Sequence, residues 1–249
     1  MRFTTTVSLV SLAITWAIAS HLARSDAFPG PVAVGAKIFQ ESANGELWVH
    51  LGATFGRVVV AFGLAWAVGI GIGAALGRSD RLDRWFWPWL NTFLNLPALV
   101  IIVICYLGLG MSELAAVLAV VINKAPLIAT NVRDGVRQFE TRYDEFASIY
   151  RLSWTQKVRL IWLPQLEPFL FTALRTGLSL TWKIILVVEL LGRSSGIGFQ
   201  IHLYFQLFEV DMILAYALSF MIAMQLIDLL VVRPLENRVQ KWRKDGQLA

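Results

Sequence analysis

Residues Glu145 to Pro164 read EFASIYRLSWTQKVRLIWLP and lie between two long apolar segments of a 249-residue chain. They belong to a stretch, 133–168, that is rich in Arg and Lys and interrupts an otherwise apolar sequence. Long connections of this kind are uncommon and tend to carry function. Two helix starts are written into it. Thr141-x-x-Asp144 has the form of a capping box for a first short helix, and Ser153-x-x-Gln156 has it for a second. Pro164 is expected to end the second helix, and Pro168 to open the next apolar segment from its first turn. The stretch therefore predicts two short helices with a turn near Arg151-Leu152. Phe146, Ile149 and Tyr150 fall near one face of the first, beside basic residues, as on a docking surface. A loop that only packs beneath its own helices has the same pattern, so both readings stand at this point.

The chain is 57% hydrophobic and only 16% charged, where soluble domains carry about 25% charged residues. Its mean hydropathy of +0.61 agrees. These values predict an integral membrane protein. The net charge of +5 is then explained by basic residues flanking membrane spans beside anionic lipid, and no nucleic-acid partner is implied. The single Cys105 excludes an intrachain disulfide, and His21, His50 and His202 are too scattered for a metal site. No nucleophile–base pair and no phosphate-binding glycine loop is present, so an enzyme is not indicated.

Six segments are long and apolar enough to cross a bilayer: 7–23, 51–76, 88–109, 114–132, 169–192 and 212–232. The first is short and contains Ala17-Ile18-Ala19, so a cleaved signal peptide is the alternative to a retained helix. Lys and Arg divide unevenly among the connections. Fifteen fall with Arg2, the 78–84 turn, the 133–168 loop and the tail, against Arg24, Lys37 and Arg193 on the other side. That bias puts both termini and the long loop in the cytoplasm. On the outer side, Pro29 and Pro31 break the chain, and Val32 to Phe39 reads as a short amphipathic helix in the interface. From Pro234 onward the basic tail with Trp242 reads as a helix extension along the membrane surface.

The spacing Glu145-x-Ala147-x3-Arg151-x9-Ile161-x-Leu163-Pro164 resembles the EAA loop of permease subunits in bacterial ATP-binding-cassette (ABC) importers. That pattern runs Glu-Ala-Ala, three residues, Gly, nine residues, Ile, one residue, Leu-Pro. The chain departs from it at Phe146 and at Arg151, where the family has Ala and Gly. A glycine eases a turn with positive φ, so Arg151 makes the bend costlier. The stretches FPGPVAV, GELWVHLGATFGRVVVAFGLAWAVGIGIGAALG, LNLPALVIIVICYLGLG and WKIILVVELLGRSSGIGFQI resemble the nitrate/sulfonate/taurine branch of these permeases.

The resemblance implies an all-α membrane protein of about six transmembrane helices, with the type I ABC importer permease fold. Residues 1–249 would form one permease domain with a cytoplasmic coupling loop at 133–168. Two permease copies, read as a homodimer, would form the pathway in the inner membrane. Two cytoplasmic ABC ATPases and a periplasmic solute-binding protein would complete the importer. ATP and Mg would belong to the ATPases, and no cofactor to this chain. The ATPase-coupling helix is carried over to about Arg142–Leu152. The coupling residues are Glu145, Phe146, Ala147, Ile149, Arg151, Leu152, Ile161, Leu163 and Pro164. The implied solute is a small anion of nitrate, sulfonate or taurine, bicarbonate or carboxylate type.

Ionisable residues at membrane depth are costly and usually face an interior. Arg57, Lys124, Arg175 and Lys183 are the basic ones, and Glu189 is acidic. Arg57 and Arg175 lie near span ends and can snorkel. Lys124 and Lys183, with Asn123, Trp182 and Glu189 beside them in sequence, are read as lining an anion path. The structural alternative pairs Lys183 with Glu189 of a partner subunit and Lys124 with Asn123 or a carbonyl. Gly192, Gly196 and Gly198 around Ser194-Ser195 suit a re-entrant turn or outer gate, or an ordinary turn. Gly69, Gly71, Gly73 and Gly77 lie in an apolar helix and suit close helix packing. A membrane enzyme would need clustered acids or histidines near one interface. A stand-alone secondary carrier would show internal repeats and need no docking loop.

Overall fold

The computed structural model describes residues 2–23, 25 and 27–234. The tail expected to run along the membrane, with Trp242, lies outside the described residues. Every described element is helical: α1 Arg2–Ala23, α2 Pro31–Asn44, α3 Glu46–Arg78, α4 Asp80–Asn95, α5 Ala98–Leu109, α6 Glu113–Arg137, α7 Thr141–Ile149, α8 Trp154–Lys157, α9 Leu163–Gly192, α10 Ile197–Gln206 and α11 Val210–Ile227. Four helices are long and apolar enough to cross a membrane alone, or up to six if each bent pair is one span.

The expected 88–109 span is the one that differs most. It is two helices, α4 and α5, meeting at 96°. Pro97 is the cause. The residue before a proline is driven out of the α region, and Leu96 is extended at φ −69°, ψ 129°. Helix α2 is longer than the expected 32–39. It begins with Pro31 in its first turn, where a missing N–H costs nothing. It ends at Gly45 with φ +86°.

The described helices group into two compact units. One comprises Met1–Phe55 and Val188–Leu226. Within it α1 exposes nearly all its described side chains, as a lipid-facing helix does, and is tied down by Trp16 Nε1 donating to the Pro29 carbonyl at 3.1 Å. The other unit comprises Gly56–Val187 and the chain from Ile227. Here α3 packs on α6 through a row of small residues. A Cβ on Gly69 would strike Ile128, one on Gly73 would strike Val132, and one on Gly77 would strike Val136, while Gly71 faces open space. The spacing of four places these three glycines on one face, which lets the backbones approach closely. The core beside them holds Phe62, Ala65, Ile128, Val132, Val136 and Ala173.

Candidate functional site

The 138–163 segment folds as a formed knob and not as a loose connection. Ser153 caps α8 with a complete capping box: its Oγ accepts from Gln156 N at 3.4 Å, and Gln156 Oε1 accepts from Ser153 N at 2.8 Å. The box expected at Thr141 is absent. Glu140 takes the cap position without a side-chain bond, and Asp144 instead accepts from Trp162 Nε1 at 3.4 Å. Pro164 does not end the second helix, and Pro168 does not open α9. From Trp154 the helix runs on through a π-helical stretch, Val158–Trp162, into α9, with both prolines inside. A proline cannot donate to the preceding turn and its ring crowds that carbonyl. A locally wider turn accommodates both effects.

The bend between the two helices is built on Arg151. Its φ is +48°, a conformation that non-glycine residues rarely take. Arg151 N donates to the Ser148 carbonyl at 3.2 Å, and Leu152 N to the Ala147 carbonyl at 2.9 Å. Those two bonds are a Schellman motif, with arginine where glycine is usual. Ala147 is wholly buried and Ile161 nearly so. Leu152 is half-buried, and Glu145, Leu163 and Pro164 are exposed. Phe146, Ile149 and Tyr150 stand exposed, with the rings of Phe146 and Tyr150 4.3 Å apart. The knob thus has a buried inner side and an apolar outer one.

Two contacts that the sequence did not suggest hold this end of the bundle. Arg78, at the end of α3, lies over the Trp162 ring at 4.3 Å and the Trp154 ring at 5.6 Å. Between α4 and α6, Arg133 Nη2 donates to Asp83 at 2.7 Å, its Nε donates to the same carboxylate, and its guanidinium covers Trp87 at 4.1 Å. Arg137 reaches Asp80 at 2.6 Å and Asp83 at 3.1 Å. The Asp83 carboxyl is held below the usual carboxylate range, chiefly by its hydrogen bonds from Arg133.

The intramembrane charges separate into different roles. Arg57 does not snorkel. It is buried and forms a two-pronged ion pair with Glu113 on the first turn of α6, at 2.9 and 2.7 Å. Lys124 is 7% exposed on α6 and has no hydrogen-bond or ion-pair partner among the described residues, Asn123 included. Asn123 and Trp182 are half-buried, and Lys183 is exposed on the single chain.

Glu189 is fully buried in its own unit. Thr54 Oγ1 donates to its carboxylate at 2.9 Å, as does Gly198 N at 2.9 Å. Thr54 Oγ1 also accepts from Ile197 N at 2.8 Å, and His50 Nδ1 from Gly196 N at 3.0 Å. Glu189, Thr54 and His50 together satisfy the first N–H groups of α10, which no intrahelical carbonyl can reach. A carboxylate there also suits the helix dipole. Gly196 has φ +107°, and a Cβ on it would collide with the Glu189 carboxylate. The glycine cluster at 192–198 is therefore a capped helix entry, and Glu189 is a cap. His50 and Thr54, an i, i+4 pair, were visible in the sequence only as polar residues in an apolar helix.

The family described as binding-protein-dependent transport system inner membrane component matches residues 67–241. SsuC of Bacillus subtilis (strain 168), named for aliphatic sulfonates transport, is 27% identical over 86% of this chain and 78% of its own length. The taurine transport system permease protein TauC of Escherichia coli (strain K12) is 25% identical over 96% of this chain and 88% of its own. Among solved structures, a chain of the MetNI methionine ABC transporter in an inward-facing conformation superposes with a TM-score of 0.67. It is 18% identical, over 80% of this chain and 98% of that one, and speaks to the fold alone.

Proposed function

This chain belongs to the family of binding-protein-dependent transport system inner membrane components, and on that premise we propose that it lines a path for a small anionic solute. It is a membrane permease subunit of an ABC importer and not an enzyme. The family implies an ATPase and a binding protein as partners. In this proposal the whole chain, 1–249, acts as one permease domain and pairs with a second copy. Two ATPases, which hold ATP and Mg, dock from the cytoplasm, and both termini lie on that side. A binding protein delivers solute from the periplasm.

The anion reading rests on Lys124. A buried ammonium without a partner pays desolvation and gains nothing from the fold. Its cost is recovered if a passing anion becomes its partner. Relatives named for aliphatic sulfonates, nitrate and bicarbonate transport support the same sign of charge. Lys183, exposed on the single chain, faces the path only in the paired permease. Glu189 is spoken for by the α10 cap and leaves the proposed path.

Docking of the ATPase is carried by α7, where Phe146, Ile149 and Tyr150 are exposed and apolar beside a rigid Schellman turn. Uptake of taurine, nitrate and bicarbonate into proteoliposomes, with ATPase and binding protein supplied, tests the path. Lys124→Gln is expected to lower uptake of the transported anion by about tenfold or more, the loss of one charge-assisted contact. Unchanged uptake and unchanged apparent affinity overturn the role of Lys124.

A further inference from the structure

A cavity of about 550 Å³ lies between α3, α4 and α6, within the range of ligand sites of about 300–1,000 Å³. Its lining is apolar throughout, from Val68 and Ile72 on α3 to Ile122 and Pro126 on α6. The α4 wall consists of Leu82, Phe86, Trp89, Leu90 and Phe93, which recur at helical spacing and form one face. Most of this wall is not sealed: Phe86 is 46% and Trp89 64% exposed. The cavity is therefore a groove open on its side.

Its length fits one ligand class. From Leu82 to Phe93 the helix advances about 16 Å. Half the hydrocarbon thickness of a bilayer is about 15 Å. One acyl chain lying along α4 spans the groove.

The charge at its end fits a headgroup. Arg81 precedes Leu82, and Arg84 lies on the next part of the same turn. Both are exposed, and neither has an acidic or aromatic partner among the described residues. The other arginines around this end are engaged: Arg78 with two tryptophans, Arg133 with Asp83, and Arg137 with Asp80. Trp85, exposed, stands one turn from Arg81 on the same side of α4, where an aromatic belt meets the headgroup level.

We infer that the α3–α4–α6 groove binds an anionic phospholipid, with one acyl chain along α4 and the phosphate at Arg81 and Arg84. The occupant is a lipid of the surrounding membrane and not the transported solute, so the site stands independently of the substrate assignment.

Native mass spectrometry of the assembled permease tests this, after exchange into micelles holding equal phosphatidylglycerol and phosphatidylcholine. Each arginine near the headgroups is worth roughly fivefold, so the pair gives a preference of about 25-fold for phosphatidylglycerol. Arg81→Gln with Arg84→Gln is expected to bring retention of the two lipids to near equality. Equal retention in the unsubstituted protein, or a preference that survives in the double variant, overturns the site. A photoreactive benzoylphenylalanine at position 86 provides a second readout that does not depend on charge. It is expected to yield a lipid adduct. A cross-link to a second permease copy instead identifies the groove as a subunit interface and overturns the lipid assignment.

Discussion

Leu152 donates its backbone N–H to the Ala147 carbonyl at 2.9 Å, across an arginine held at φ +48°. The six-residue bond closes the turn that joins α7 to α8, and it exists only while Arg151 keeps the left-handed conformation. That conformation costs a non-glycine residue about 1–2 kcal/mol. Glycine removes the cost but gains freedom in the unfolded chain, which returns about 0.4–1 kcal/mol. Arg151→Gly is therefore expected to stabilise the fold by about 0.5 kcal/mol. Arg151→Val, β-branched, destabilises it. Thermal unfolding of the purified permease ranks the three proteins, and a glycine variant less stable than the arginine form overturns the strain argument.

Adjacent residues of α7 are expected to fail in different ways. Ala147 is wholly buried, so Ala147→Leu overpacks the knob at about 1–3 kcal/mol. Ile149 is 75% exposed, so Ile149→Ser leaves the fold nearly as stable. If α7 is the ATPase contact, Ile149→Ser lowers copurification of the ATPase at unchanged unfolding temperature. Full ATPase capture by Ile149→Ser and Phe146→Ala together removes α7 from the interface.

The turn near Arg151 was legible in the sequence because two helix starts bracket it, and the spacing resembled a loop whose turn residue is glycine. The second capping box was legible because its two partners are three residues apart. Long-range pairs were not legible. Nothing near Arg57 in sequence points to Glu113, and nothing near Glu189 points to Thr54. Those bonds exist because helices distant in the chain pack side by side. The break at Leu96-Pro97 was written locally, in the proline, but apolar composition continues across it, and a count of apolar residues does not register a bend. Pro164 and Pro168 mislead in the opposite direction. As punctuation they stop helices, yet the helix runs through both, with a π-helical turn directly before Pro164.

Gly196 and Thr54 shape the entry of α10. Gly196→Ala adds a Cβ to a positive-φ residue directly against the Glu189 carboxylate. Positive-φ strain of about 1–3 kcal/mol and displacement of the cap then act together. Thr54→Val keeps the shape but leaves Ile197 N–H unsatisfied and removes one of the two hydrogen bonds to Glu189 Oε2, at about 1–3 kcal/mol. Both variants are expected to lower the unfolding temperature and to raise amide exchange at 196–198. Protected amides there in Thr54→Val would show that the cap does not depend on the hydroxyl.

Acid should loosen the α4–α6 contact through Asp83. Its carboxyl titrates lower in the folded protein than in the unfolded chain, because Arg133 stabilises the anion. The stabilisation is therefore fully present above the ordinary carboxylate value of about 3.9. It is lost as pH falls from there through the lower folded value. Unfolding temperatures measured from pH 6 down to pH 3 are expected to fall. Asp83→Asn starts lower, by about 1–3 kcal/mol, and falls less over the same range. Parallel curves for the two proteins would place the acid sensitivity elsewhere.

Arg78 joins the end of α3 to the base of the knob through the faces of Trp162 and Trp154, whose rings meet edge to face at 4.6 Å. A guanidinium lies flat on an aromatic ring, whereas an ammonium is a compact charge held more tightly by water. Arg78→Lys therefore keeps the charge and loses the stacked plane. At an exposed site such contact is worth about 0.5–1 kcal/mol, too little to unfold the protein. It is enough to let the knob move relative to α3. If knob motion drives the spans, Arg78→Lys and Arg78→Ala both retain the ATPase but transport less solute per ATP hydrolysed, with lysine nearer to alanine than to arginine. Proteoliposomes report that ratio directly. A lysine variant with the stoichiometry of the unsubstituted protein would show that charge alone suffices and that the stacked arginine transmits nothing.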